Sequence, residues 1–277
     1  MKFILIGKRN KVMHKINLFY KRIYSIICRL YSEIVSLFEN LFLKSNLKSK
    51  STLEKDGFLQ INKHSELNIS KKRFDFILNN SDKSFYSNRY QKKIILNRES
   101  LKSVIKLIFD KEFCDFLTSQ TGFKYTIDFF GAYQNLHIPE EHLDQPWYAN
   151  HYHLDKPNSR NMLKIFIPMS NIGINDGPLV LLDINQTKQY LLKRKSIEDV
   201  EKICLVGGLG DIFLCKLNLC LHKATIPKYG ATTDLIMMQL NPSSRWNLNS
   251  NIYKRQFKTE PKFTTLVNTF VLRTPLY

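Results

Sequence analysis

The sequence predicts a mainly β domain, either a sandwich or a barrel, with flanking helices and a long amphipathic helix before it. Short runs rich in aromatic and β-branched residues alternate with Asn, Asp, Gly and Pro in the second half of the chain, which is typical of sandwiches and barrels rather than of doubly wound sheets. Helical spacing of apolar residues marks the N-terminal segment instead. With 277 residues, 43% of them hydrophobic, the chain can bury one sizeable core. We therefore expect two parts, residues 1–52 and residues 53–277.

The N-terminal helix is predicted from apolar residues that recur at intervals of four and three and so share one helical face: Ile16, Tyr20, Ile23, Ile27, Leu30, Ile34, Leu37 and Leu41. Basic residues interrupt every stretch that could supply the roughly 20 apolar residues of a membrane span: Lys15, Lys21, Arg22 and Arg29. Three uses stay open, namely packing on its own domain, lying in the headgroup layer of an anionic membrane, and self-association through residues 12–44. The polar residues 44–51 form a predicted linker.

The positive charge is concentrated at the N-terminus. The formal net charge is +18, and residues 1–50 hold eleven Lys and Arg against two Glu. No signature of a nucleic-acid-binding module accompanies this charge, so we expect no nucleic-acid partner. The five cysteines contain no CxxC pair, which predicts neither a disulfide framework nor a zinc ribbon. Without a recognisable signal peptide, we expect a cytoplasmic protein, peripheral on the inner membrane face if the helix binds lipid.

Elements of the main domain are predicted from local patterns. A short helix, a turn at Gly57 and a first strand begin the domain, and residues 98–120 form one helix that ends at Gly122. The glycines at 207–210 do not form a dinucleotide-binding loop, because Phe213 stands in the place of the third glycine. The predicted strands cover residues 125–134, 147–154, 162–169, 179–183, 211–216 and 234–240.

Residues 151–155, His-Tyr-His-Leu-Asp, are the densest cluster of metal-ligand side chains. Residues two apart on a strand point the same way, so His153 and Asp155 could hold one ion. A non-haem Fe(II) oxygenase needs two imidazoles and one carboxylate on one side of the metal. His222, which follows a strand and precedes a Pro/Gly turn, is the candidate for the second imidazole. Since His151 shares the strand parity, a cupin-like Zn or Fe site of His151, His153 and His222 is the alternative.

Four elements follow one another in a recognisable order: the HxD at 153–155, a strand and Gly-Pro-Leu turn at 163–180, a Gly-Asp strand at 210–214, and His222. In these elements the chain resembles the phytanoyl-CoA dioxygenase (PhyH-like) family, over about residues 54–242 and most strongly over 150–230. The resemblance implies a double-stranded β-helix, a jelly-roll or cupin-like barrel, that binds Fe(II) through His153, Asp155 and His222. It also implies a dioxygenase that uses 2-oxoglutarate and O₂, releases succinate, and hydroxylates a small-molecule, lipid-linked or sugar-linked substrate.

One family position differs in this chain. Relatives anchor the distal carboxylate of 2-oxoglutarate with an Arg about ten residues beyond the second His, because a guanidinium binds a carboxylate through two hydrogen bonds. Thr232 and Thr233 occupy that place here. The resemblance makes Lys164 the candidate anchor, with the Thr233 hydroxyl assisting and Lys228 as a weaker candidate, and it places Phe166 against the cosubstrate.

The replaced Arg leaves an alternative function open, a non-catalytic binding module that keeps the oxygenase fold. In the catalytic interpretation, residues before and within the HxD strand are expected to line the substrate site. These candidates are Gln134, Asn135, Trp147, Tyr148 and Asn150.

Overall fold

The computed structural model describes residues 27, 30–45, 51–61, 81–88, 91–96, 98–142, 151–155 and 159–248. Its helices are α1 over residues 30–42, α2 Thr52–Asp56, α3 Arg98–Ile108, α4 Lys111–Thr121 and α5 Ile184–Leu191. Its strands are β1 Phe58–Ile61, β2 Ser81–Asn88, β3 Gln91–Leu96, β4 Lys124–Leu136, β5 Leu163–Pro168, β6 Leu179–Leu181, β7 Ile203–Cys204, β8 Ile212–Cys215, β9 His222–Ala224 and β10 Thr232–Ser243.

Two antiparallel sheets form the body of the protein within the described residues. The larger has the strand order β1-β8-β5-β10-β4-β3-β2, and the smaller has the order β7-β6-β9. The chain passes from the larger sheet to the smaller one between β5 and β6, and again between β8 and β9. This arrangement is consistent with a jelly-roll or cupin fold, so the predicted mainly β architecture is confirmed.

Strand alternation gives the larger sheet two buried faces. On one face, Ile165, Ile167 and Ile236 belong to a core cluster that includes α3 and α4 residues such as Leu101 and Leu117. On the other face, side chains of the larger sheet pack with those of the smaller sheet and of the loops beside it: Phe166, Phe213, Cys215 and Leu235 with Ile172, Leu181 and Leu205. The second cluster fills the space between the two sheets.

The predicted helix over residues 98–120 is two helices. Asp110 has extended backbone and caps α4, since its side chain accepts a hydrogen bond of 2.7 Å from the Phe113 amide. The expected stop at Gly122 is confirmed, because that residue ends α4 in the left-handed conformation. The helix, glycine turn and strand predicted at the start of the domain are also found, as α2, Gly57 and β1.

The predicted N-terminal helix falls only partly within the described residues. Residue 27 and residues 30–42 are helical, whereas the predicted start of the long helix near Ile16 lies outside them. The division at residue 52 stays a prediction. Among the described helices, none combines the length and apolar character needed to cross a membrane.

Candidate metal centre

His153, Asp155 and His222 come together in space, as predicted from the sequence. One potential ligand atom from each of them lies within 4.8 Å of the others. The two imidazole rings have centroids 4.3 Å apart, and His222 Nε2 lies 3.8 Å from Asp155 Oδ1. These distances suit two imidazole nitrogens and one carboxylate oxygen that converge on a single ion.

Backbone pairing explains why the three side chains converge. The amide of His153 donates to the His222 carbonyl at 2.9 Å, and the amide of His222 donates to the His153 carbonyl at 3.0 Å. Residues directly opposite in an antiparallel pair place their side chains on the same face. The Asp155 amide continues the contact by donating to the Leu217 carbonyl at 3.0 Å. Of the strand predicted over 147–154, residues 147–150 lie outside the described part, and the rest makes this isolated bridge at His153.

Both histidines are held in the tautomer that leaves Nε2 available to a metal. His153 Nδ1 lies 2.9 Å from the carbonyl oxygen of His151, and His222 Nδ1 lies 3.0 Å from that of Cys220. Since a carbonyl only accepts, each Nδ1 carries the proton and donates it. Each Nε2 therefore keeps its lone pair for a ligand bond.

The charge on Asp155 is stabilised by Lys164. Lys164 Nζ lies 2.6 Å from Asp155 Oδ2, and both side chains are largely buried. Burial raises the pKa of Asp155, but Lys164, His222 and His153 together lower it below its ordinary value. Burial lowers the pKa of His222 to about 4, although Asp155 acts in the opposite direction. Near neutral pH the site thus presents an ionised carboxylate and a neutral imidazole, the forms that bind metal.

The donor set fits Fe(II). Two imidazoles and one carboxylate on one side of an ion leave further coordination positions for a cosubstrate and O₂. His151 does not belong to this group among the described residues, and its side chain is exposed. It contributes its carbonyl to His153, so the geometry does not favour the alternative site of three histidines.

The residues predicted to bind the cosubstrate occupy separate places. Lys164 lies on β5 beside the triad, whereas Phe166 is buried in the cluster between the sheets. Thr233 is fully buried in β10, and its hydroxyl donates to the Asp176 carbonyl in the turn before β6. Lys228 is exposed.

Lys164 and Thr233 are too far apart to share one carboxylate. Gln239 lies opposite Lys164 in the pairing of β10 with β5, and Thr233 is six residues from Gln239 along the same strand, about 20 Å at the rise of an extended chain. The hydroxyl proton of Thr233 is already engaged by the turn. The predicted assistance of Thr233 does not fit this separation, and Lys164 is the member of the pair beside the metal ligands.

Two of the predicted substrate-lining residues are described, and they point to opposite faces of β4. Asn135 lies opposite Thr233, and Gln134 lies opposite Asp234. Gln134 donates to Asp234 at 2.7 Å, while the Asn135 side chain accepts from Gln91 at 2.9 Å. Trp147, Tyr148 and Asn150 lie outside the described residues, so their lining role stays a prediction.

Sequence patterns did not reveal the groups that orient the ligands. The carbonyls of His151 and Cys220 each lie two residues before the histidine that they orient. This spacing follows from local backbone conformation, and backbone carbonyls carry no residue-type signal. The ion pair of Lys164 with Asp155 was also missed, although Lys164 itself was singled out as a cation near the site.

Comparisons with known proteins find similarity in the fold of the chain. No family model matches the chain, and no curated protein matches it. Among solved structures, EctD from S. alaskensis with bound Fe is 11% identical, with a TM-score of 0.50 over 76% of this chain and 86% of that one. The epimerase SnoN, in complex with Fe³⁺, alpha ketoglutarate and nogalamycin RO, is 8% identical, with a TM-score of 0.50 over 69% and 80%. At these identities the similarity shows a shared fold.

Proposed function

We propose that this protein is an oxidoreductase, an Fe(II)- and 2-oxoglutarate-dependent dioxygenase of the PhyH-like kind that hydroxylates a small-molecule, lipid-linked or sugar-linked substrate. The observation that carries the proposal is the convergence of His153, Asp155 and His222. Its support is stronger than the HxD tripeptide alone provides, because the hydrogen bonds of both imidazoles leave each Nε2 available. The shared fold with iron-containing EctD and SnoN is independent support.

Each residue of the site has a distinct task in this proposal. His153 and His222 hold the metal through Nε2, and Asp155 holds it through a carboxylate oxygen while stabilising its positive charge. When bound, iron and 2-oxoglutarate supply the oxidation, in which one oxygen atom of O₂ enters the substrate and the other enters succinate as CO₂ is released. Phe166 and Phe213 belong to the buried apolar cluster between the sheets, and in this proposal that cluster keeps water out of the barrel.

Lys164 is the proposed partner of a cosubstrate carboxylate. Its ammonium already reaches the triad, where it pairs with Asp155. A divalent cation bound to Asp155 reduces the negative charge that Lys164 experiences, so the ammonium then gains from a second anion. Lysine suits this task as a point charge on a flexible stem, although it lacks the two-pronged geometry of Arg. Lys164 would therefore take over the role of the missing Arg from a different position in the sheet.

The experiment that tests the proposed function is a succinate assay. The full chain, supplied with Fe(II), ascorbate and 2-oxoglutarate in air, is expected to release succinate slowly without substrate and faster with a substrate. The variant His222→Ala is the matched negative control, and His151→Ala should keep the wild-type rate. Absence of succinate from the iron-loaded wild-type protein, across a panel of small-molecule, lipid and sugar substrates, would refute dioxygenase activity.

A further inference from the structure

The described part of the N-terminal helix turns its apolar side outward. Leu41 is 77% exposed and Ile34 is 66% exposed. A surface with this many large apolar side chains on consecutive turns of one helix marks an interaction site. The exposed set is Ile27, Leu30, Tyr31, Ile34, Leu37, Phe38, Leu41 and Phe42.

Hydrogen bonds fix the opposite, polar side of α1 to the body. Ser32, Ser36 and Glu39 are buried on that side. Ser36 Oγ accepts from the amide of Arg160 at 2.7 Å. The Glu39 carboxylate accepts a hydrogen bond from the Ser159 hydroxyl and another, of 2.9 Å, from the side-chain amide of Asn161. The orientation is therefore set by specific contacts, and reversing the helix to bury its apolar side on this surface would leave these polar groups unpaired.

The acidic residues of this segment also face the body. Residues 1–50 contain two of them, Glu33 and Glu39, against eleven Lys and Arg. Glu33 pairs with Arg160 at 3.1 Å, and Glu39 is buried as described above. The outward side of the helix therefore presents apolar side chains and no carboxylate from this segment. The eleven Lys and Arg of residues 1–50 adjoin this apolar surface in the sequence. That combination suits anionic lipid, in which basic residues contact headgroups and apolar side chains enter the acyl boundary.

A second copy of the chain fits this surface less well. Two copies that paired through this helix would bring two strongly basic segments together, and like charges oppose such an approach. We propose that the apolar side of residues 27–42 docks the protein on an anionic membrane surface, while Ser32, Ser36 and Glu39 hold the oxygenase body to the docked helix. This inference goes beyond the proposed enzymatic function and does not depend on it.

Vesicle flotation with the full chain tests the docking. Wild-type protein is expected to float with vesicles of equal parts phosphatidylglycerol and phosphatidylcholine, and to stay unbound with phosphatidylcholine alone. Raising the salt concentration should release it, because salt screens the attraction between exposed charges. Failure of the wild-type protein to float with the anionic vesicles overturns the proposal.

A pair of double variants locates the contact. Leu37→Ser with Leu41→Ser is expected to weaken binding by at least about tenfold, because two apolar side chains no longer enter the membrane. Leu191→Ser with Leu192→Ser is the matched control, since both leucines are also exposed but lie on and just after α5. All four positions are exposed, so thermal unfolding should be unchanged in both proteins. Equal binding of the two variants overturns the assignment to α1.

Charge and association provide separate checks. Lys21→Gln with Arg22→Gln should weaken binding to the anionic vesicles by about fivefold for each charge removed. Sedimentation equilibrium tests whether a second copy of the chain, rather than a membrane, covers the apolar side of the helix. A wild-type dimer that dissociates in the Leu37→Ser/Leu41→Ser variant, combined with no flotation of the wild-type protein, shows that a second copy covers the helix and overturns membrane docking.

Discussion

Lys164 Nζ lies 2.6 Å from Asp155 Oδ2, so a buried cation is paired with the carboxylate of the metal triad. Buried charges are stable only when they are balanced. Asp155 and Lys164 are balanced by themselves. The two positive charges of Fe(II) and the two negative charges of 2-oxoglutarate preserve that balance when they bind together. This relationship predicts that metal and cosubstrate stabilise each other at the site.

Lys164→Met should affect the binding of Fe(II) and the binding of 2-oxoglutarate differently. Without the ammonium, Asp155 loses its competing partner, so Fe(II) alone is expected to bind as tightly as before or more tightly. The affinity for 2-oxoglutarate in the iron-loaded protein should fall by about tenfold or more, the typical value of a hydrogen bond to a charged group. Calorimetric titration measures both affinities.

Lys164→Arg is the control for this prediction, because it keeps the charge and should retain most of the cosubstrate affinity. A parallel loss of Fe(II) and 2-oxoglutarate binding in Lys164→Met would contradict the assignment. It would mean that Lys164 serves to position Asp155 rather than to bind the cosubstrate.

Substitution of the metal ligands should affect Fe(II) binding far more than substitution of the exposed His151. His153→Ala and His222→Ala are each expected to abolish Fe(II) binding, since each removes one of three ligands. His151→Ala should bind iron normally, because His151 orients His153 through its backbone carbonyl, which alanine keeps. Elemental analysis after anaerobic loading and gel filtration distinguishes these outcomes, and loss of iron from His151→Ala would support the site of three histidines instead.

Thr233 is expected to matter for stability and not for cosubstrate binding. Thr233→Val removes the buried hydroxyl that donates to the Asp176 carbonyl, which should lower the free energy of unfolding by about 1–3 kcal/mol. Thr233→Ser keeps the hydroxyl and should lose less. Urea unfolding measures the change, and the 2-oxoglutarate affinity of all three proteins should be the same. Weaker cosubstrate binding with unchanged stability would show that Thr233 binds the carboxylate after all.

Glu39, which holds α1 to the body of the protein, should make the free energy of unfolding depend on pH. Burial raises the pKa of Glu39, and the hydrogen bonds from Ser159 and Asn161 lower it by less. A carboxyl whose pKa is higher in the folded state than in the unfolded state binds its proton more tightly when folded, so its contribution to stability is present at low pH. That contribution is lost as the pH rises from the unfolded pKa through the folded one.

Glu39→Gln should remove this dependence while keeping an acceptor for Ser159 and Asn161. The difference in unfolding free energy between the variant and the wild type should therefore move in favour of the variant as the pH rises above about 4. Glu201→Gln, at an exposed site, is a suitable comparison. A difference between Glu39→Gln and wild type that is constant with pH would contradict the assignment.

The parts of the structure that could be predicted from the sequence are those set by local periodicity. Alternation identified β4, β5, β8 and β10, and strand parity placed His153 and Asp155 on one side. The break at Asp110 was missed because a capping aspartate also fits the polar face of a continuous helix. The outward direction of α1 could not be predicted, since the same periodic face suits a core, a membrane or a partner. Only the contacts of Ser36 and Glu39 with residues 159–161 decide it.

Anaerobic calorimetric titration of the full chain tests the central claim most directly. Fe(II) is expected to bind with a stoichiometry of one ion per chain, and 2-oxoglutarate is expected to bind only after the metal, again as one molecule per chain. Both signals should be absent from His222→Ala. Tight binding of 2-oxoglutarate without metal, or no binding of Fe(II) to the folded wild-type protein, would contradict the account of His153, Asp155 and His222 as an iron centre.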